Sequence, residues 1–331
     1  MDDSLSLTTT LLYSLQNIDY HLHFPAVFID ALLIWLSARY VSPSLVRTYT
    51  LNISIVALVC ALYGIARTTF EDRILRYEDN SADIVIIVDY LVDALMSFPP
   101  LALYEIQGTL IVVLAFYSCT QPIKYKQYFR QRNVFVGFLS GNLIVLALAI
   151  GKFFESTYHY YLYNVHILRA HVAVRLLIEM TLFSVMLVFY FKTLKEILPT
   201  RLNELGTETE RFNRIRLRSV LIYCTPPNFL LVFGIVGSLS SAYVNAFPIR
   251  FPTVNSVYGV IYSLKCMAHN TVVFRLLVSS VSIIFAFQQY RQAVKDMTRD
   301  LYSYCKRIAI RKSQSHVSTA SNSQRSHNWT S

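Results

Sequence analysis

The stretch 171-HVAVRLLIEMTLFSVMLVFYF-191, followed at once by 192-KTLKEILPTRLNELGTETERFNRIRLR-218, decides the fold. Its first part is about 20 nearly unbroken apolar residues, the length a helix needs to cross roughly 30 Å of hydrocarbon at 1.5 Å per residue. Its second part holds seven of the 30 Lys and Arg in the chain. A span that runs into a cationic loop keeps that end in the cytosol. Six further stretches have the same apolar character, at Phe24–Tyr40, Thr50–Ala66, Leu95–Cys119, Val134–Phe154, Ser219–Ser240 and Asn270–Gln288. Charge alternates between them. The segments Arg39–Arg47, Lys124–Arg132, Lys192–Arg218 and Arg291–Arg325 carry two, four, seven and eight cations, 21 of the 30. The expected orientation is therefore N-terminus outside and C-terminus inside.

Composition agrees with a membrane class. The hydrophobic share is 54% and the charged share 15%, against about 25% charged in soluble domains. The net charge of +10 sits in short loops at span ends, where it sets orientation and meets anionic lipid, so no nucleic-acid partner is expected. Residues 1–23 form an outer N-terminus, 24–288 the seven-span domain and 289–331 a cytoplasmic tail. No basic stretch precedes a cleavage site in Met1–His23, so the first span is expected to act as its own insertion signal. Five cysteines are too few and too scattered for a disulfide scaffold. The acid-rich stretch Arg67–Asp93 reads as a long outer loop leading into span 3. A rival reading starts that span nearer Ile84 and breaks it at Pro99-Pro100.

Two helices are expected on the cytosolic side. Pro199 and Gly206 end the extension of span 5, and Thr207-Glu-Thr-Glu210 fits a capping box. The helix it opens carries Arg211, Arg214 and Arg218 at i, i+3, i+7. This is a basic stripe facing lipid headgroups or, with Lys124 and Lys126, a contact surface for a partner. After span 7, Tyr290, Val294, Met297, Leu301, Cys305 and Ile308 repeat at helical spacing with cations on other faces, which suits an amphipathic helix in the membrane interface. Cys305 on its apolar side is a candidate for palmitoylation. Beyond Lys312 the Ser/Thr/Asn-rich composition predicts disorder.

An ionisable group at bilayer depth costs about 2.5–3.5 kcal/mol on insertion scales, so each needs a partner or a purpose. Asp30, Glu105, Arg175, Glu179 and Arg275 stand at such depth on the outer side. Two arrangements are open. Asp30 pairs with Arg275 between spans 1 and 7, and Arg175 with Glu179 within span 5. Alternatively, Glu105 faces an outer cavity and meets a small-molecule ligand. Tyr104, Gln107, His171, Asn228 and the aromatic run Tyr158–Tyr163 would then line that cavity, with Arg175, Glu179 and Arg275 as its charged neighbours. Pro226-Pro227 in span 6 marks a hinge, or a static kink. No metal-ligand spacing, activated nucleophile or Gly-rich phosphate loop is present, so no catalytic residue, metal or cofactor is expected.

Seven spans, a basic inner loop before span 6 and a basic helix after span 7 resemble a G-protein-coupled receptor. The compact length, the Phe/Tyr-rich loops and Phe285-Ala-Phe-Gln-Gln-Tyr290-Arg291 at the inner end of span 7 resemble the nematode serpentine chemoreceptors. The resemblance implies an all-α, membrane-spanning seven-helix bundle that binds a small ligand and signals to a heterotrimeric G protein from the plasma membrane. Cys224-Thr-Pro226 is loosely similar to the Cys-Trp-x-Pro hinge of rhodopsin-like receptors. Their acidic-Arg-Tyr triplet is replaced by Tyr117-Ser-Cys-Thr-Gln-Pro122, which sets the chain apart from that group. An insect-type seven-span ligand-gated channel, with the opposite orientation, and a small membrane transporter are the rivals.

Overall fold

The computed structural model describes residues 2–74, 82–96, 98–129, 131–161, 165–197, 208–246, 260–261, 264 and 272–327, with side chains described for a subset of these. Among the described residues there is no strand. The helices are α1 (Asp2–Arg39), α2 (Leu45–Ile74), α3 (Ala82–Met96), α4 (Pro99–Thr120), α5 (Pro122–Tyr128), α6 (Gln131–Tyr161), α7 (Val165–Ile197), α8 (Glu208–Ala246), α9 (Val272–Ala286) and α10 (Gln288–His327). Six segments are long and apolar enough to cross a membrane: His21–Arg39, Leu45–Arg67, Tyr90–Thr120, Asn133–Phe154, Val172–Glu196 and Leu217–Gly237. A seventh passes only if α9 is taken with the start of α10, across a bend of 83°. Among the described residues the regular structure is thus helical throughout, with the several long apolar helices of a multi-pass membrane protein. Phe28, Phe135, Leu177, Phe229 and Phe285 are all exposed, as large apolar side chains are where lipid rather than water covers them.

Local chemistry places the breaks. Ser44 caps α2, its hydroxyl accepting from the Arg47 amide at 3.2 Å. Pro99 and Pro100 occupy the first turn of α4, where a missing N–H removes no helical bond. The stretch Arg67–Asp93 is therefore not a long loop: α2 continues to Ile74 and α3 starts at Ala82. Its acidic residues are spaced among Ile, Val and Leu, so a helix can still bury one side, and α3 packs on α6. Pro199, Gly206 and Thr207 lie outside the described residues, and α8 begins at Glu208. Through Pro226-Pro227 α8 is unbroken. The stretch after Lys312 is helical to His327 rather than irregular. It holds no Gly or Pro, so nothing in it terminates the helix already running.

α4 sits in the middle. It packs against α2, α6, α7, α8 and α9, and the Tyr90–Thr120 span it shares with the end of α3 is 61% buried, against 22% for the span of α6 and 17% for that of α7. Around it α1 meets α2, α6 meets α7, α7 meets α8, α8 meets α9, and α9 returns to α1. Leu33, Leu36, Tyr49, Ile53, Leu103, Ile111, Tyr223, Ile283 and Tyr290 form one continuous core. Gly141 lets α6 close on α4: a Cβ there would lie 3.2 Å from Ile106 Cγ2, the small-residue approach common between membrane helices. Gly141→Val is expected to cost about 1–3 kcal/mol by overpacking, read as a lower melting temperature of the detergent-solubilised protein. An unchanged melting temperature would mean that the α4–α6 contact is loose.

The turn between α9 and α10 is pinned from below. The Tyr290 amide donates to the Phe287 carbonyl at 3.0 Å, and the fully buried Tyr290 hydroxyl hydrogen-bonds Ser37 of α1 at 2.7 Å. Ser44 donates to Gln289 at 3.1 Å and Tyr40 to Asp300 at 3.1 Å. The start of α10 is thereby fastened across the α1–α2 junction.

Candidate functional site

Polar side chains on α4 and its neighbours lie along the centre of the protein in three layers. In the first, Glu105 lies within electrostatic reach of Arg175 and Glu179 of α7 and Arg275 of α9. Arg175 and Arg275 are buried and Glu105 and Glu179 half-buried. Arg175 Nε stands 3.9 Å from Glu179 Oε1 one turn on. Two acids and two bases from three helices thus meet beside α4, a balance that lets four charges share one apolar interior. Arg275 Nε has no hydrogen-bond partner among the described residues.

The expected Asp30–Arg275 pair does not form. Asp30, 1% exposed, accepts a hydrogen bond from Ser280 Oγ at 2.6 Å. Residues 275 and 280 are five apart, about 140° around a helix. Asp30 therefore meets one side of α9 and Glu105 another.

In the second layer the Tyr104 hydroxyl reaches Asn228 Oδ1 of α8 at 3.5 Å, leaving Asn228 Nδ2 without a partner among the described residues. Gln107, wholly buried, donates to Asn142 Oδ1 of α6 at 2.6 Å. Asn142 and Asn52 of α2 exchange hydrogen bonds at 3.1 and 3.3 Å. Gln107 Oε1 stays without a partner among the described residues. In the third layer Tyr49 and Tyr223 join hydroxyl to hydroxyl. The Tyr223 ring packs edge-on to Tyr49, tilts against Phe287 and faces Tyr104 at 6.4 Å.

The structure brings Glu105, Tyr104, Gln107, Arg175, Glu179, Asn228 and Arg275 around one helix. His171 belongs to α7, but its side chain lies outside those described, as do the side chains of Tyr158–Tyr163 and Pro227. Pro226 is exposed. Sequence reasoning missed Asn52, Asn142, Tyr49, Tyr223 and Ser280. The signal was available for the amides, because a carboxamide at bilayer depth calls for a second one on a facing helix.

Beyond the tyrosines a cleft of about 270 Å³ opens at the opposite end of α4. Ser44 lines it from the cap of α2 and Leu45 and Val46 from its first turn, Ile111, Ala115 and Ser118 from α4, Ile215, Ser219 and Val220 from α8, and Phe287, Gln288 and Gln289 from the α9–α10 turn. Arg218, next to it on α8, is exposed, as are Lys124 and Lys126 on α5. Arg214 and Arg211 lie on α8 one and two turns earlier, with side chains outside those described. Cys305 is exposed and free, together with Leu301 and Ile308, whereas Tyr290 and Ala293 on the first turns of α10 are buried. Among the described residues no three His, Cys, Asp or Glu side chains gather as a metal site. No protein-family model matches the chain, and no curated protein sequence matches it.

Proposed function

We propose that the chain is a divergent chemosensory receptor of the G-protein-coupled kind, an all-α bundle of seven spans in the plasma membrane with α10 as an interfacial helix. In this reading α3 and α4 make one broken span, α9 is the seventh, and the 83° bend turns α10 into the membrane surface. The charge of α10 favours this: exposed Arg291, Lys295 and Arg299 suit an interface and not a hydrocarbon core. The N-terminus is outside and the C-terminus inside. A small ligand enters from the outer side and meets Glu105 and Arg275, with Tyr104, Gln107, Asn228, His171, Arg175 and Glu179 around it. The heterotrimeric G protein docks at the cytosolic cleft, guided by Arg211, Arg214, Arg218, Lys124 and Lys126. Neither a cofactor nor a catalytic step is required.

The observation that carries this reading is the stacking along α4. Partly unpaired polar groups lie at one end, a cleft at the other, and a tyrosine cluster linking α2, α4, α8 and α9 lies between them. A ligand that binds better when α8 is displaced would shift the protein toward that state, with Pro226-Pro227 as the hinge. Separate tags on Met1 and Ser331, stained in intact and then permeabilised cells, test it. Tag signals outside for Met1 and inside for Ser331 are expected. The reverse would favour the ligand-gated channel, and both termini on one side the transporter. With orientation in hand, replacing Arg211, Arg214 and Arg218 by Ala is expected to abolish ligand-stimulated nucleotide exchange while surface expression holds. Undiminished exchange would remove these residues from the coupling surface.

A further inference from the structure

A second cavity lies between α8 and α9, a groove of about 360 Å³ lined by Ile222 and Pro226 on one wall and Leu277, Val278, Val281, Ser282 and Phe285 on the other. Ile222, Pro226 and Phe285 are exposed. The groove therefore opens outward, and both walls are candidate span sequence. At that depth its occupant comes from the bilayer and not from water.

The polar groups of this groove select among bilayer components. In an α-helix the Ile222 carbonyl receives the amide of residue 226, and in a widened turn that of residue 227. Both are proline and carry no N–H. The helix is nevertheless continuous here. The neighbouring Thr225 hydroxyl does not compensate, because it donates to the Leu221 carbonyl at 2.7 Å. On the facing wall Ser282 donates to the Val278 carbonyl at 2.6 Å and keeps its lone pairs. An otherwise apolar groove thus offers hydrogen-bond acceptors and no free donor. An unmet carbonyl in hydrocarbon is costly, and a lipid acyl chain has no hydrogen to give it.

We propose that this groove binds a membrane sterol, whose rigid apolar ring system fills the space and whose single hydroxyl donates to the Ile222 carbonyl. A rigid body loses less freedom on binding than an acyl chain does. Ile222, Ser282 and Phe285 stand toward the ends of α8 and α9 that lead to the basic segments, so the hydroxyl points to that membrane surface and the rings toward the midplane. Naming that surface cytosolic rests on the orientation proposed above; the site itself does not.

The test uses the full chain in phosphatidylcholine vesicles with a photoreactive 3β-hydroxysterol, competed by unlabelled sterol or by its 3-deoxy analogue. Labelling is expected on peptides covering Ile222–Phe229 and Leu277–Phe285, with the hydroxysterol about tenfold the better competitor, the worth of one net hydrogen bond. Pro226→Ala returns an amide to Ile222 and should erase that preference while both sterols still compete. Val281→Phe should fill the groove and abolish labelling. If that variant does not fold, Ser282→Leu does the same from the next turn. Labelling elsewhere, equal competition by the deoxysterol, or a tenfold preference that survives Pro226→Ala with Ser282 intact or replaced would overturn the proposal. Saturation of the site by phospholipid alone would do the same. None of these outcomes depends on ligand response or G-protein coupling.

Discussion

Tyr223→Ala is expected to be the most damaging single substitution, destabilising the protein by about 3–5 kcal/mol, the range for removing a large buried ring. Tyr223 is wholly buried and touches α2 through Tyr49, α4 through Tyr104 and the α9–α10 turn through Phe287. No neighbour can fill that volume without leaving its own contacts. Tyr223→Phe keeps the ring and removes only the hydroxyl joined to Tyr49, so it should cost about 1 kcal/mol. Thermal melting in detergent separates the two. Equal losses would show that the hydroxyl contact matters and the ring does not. Near-zero losses for both would show that the helices are held apart from this cluster.

Arg275→Leu should rank next. It leaves Glu105 and Glu179 facing one cation where there were two, and stranding a buried charge in this way costs about 3–5 kcal/mol. The same logic predicts recovery. Glu105→Leu added to Arg275→Leu removes one charge of each sign, leaves the Arg175–Glu179 pair, and should restore most of the melting temperature. A coupling of about 1–3 kcal/mol in the double-mutant cycle is expected. Strict additivity would mean that Arg275 answers to Glu179 alone. Glu105→Gln leaves two cations facing one acid, so by the same argument it should lower the melting temperature, and at matched surface expression it should abolish or shift the ligand response.

The spans were legible because hydrocarbon thickness imposes a length and apolarity that few other constraints mimic. Val134–Phe154 was expected, and Asn133–Phe154 is found. The segment around Asp83, Asp89 and Asp93 was legible as a helix only in the rival reading, which starts span 3 nearer Ile84 and breaks it at Pro99-Pro100, as α3 and α4 do. Its charges are dense enough to look like solvent-exposed loop, and only the packing of α3 against α6 shows which side is covered. Partner choice was harder still. That Arg175 would find Glu179 follows from their spacing of four. That Asp30 would find Ser280 and not Arg275 depends on how α9 is rotated between α1 and α4, a tertiary property. The tyrosine cluster was hidden for a similar reason. With 23 tyrosines in the chain, nothing local distinguishes Tyr49 and Tyr223 from those that anchor at a membrane surface.

The fastening of α10 to α1 has a consequence for how the protein is made. Ser37 waits for Tyr290 and Asp30 for Ser280, partners some 250 residues later in the chain. Both early residues are almost wholly enclosed once the protein is finished. During synthesis, at about 5–20 residues per second, the first helix enters the membrane with a carboxylate and a hydroxyl on its inner face and nothing to cover them. Its proper neighbours arrive only as the ribosome nears the end of the message. Nascent chains shortened before α9 should therefore be held by insertion chaperones or degraded, while loss of residues after Ile308 should leave assembly intact.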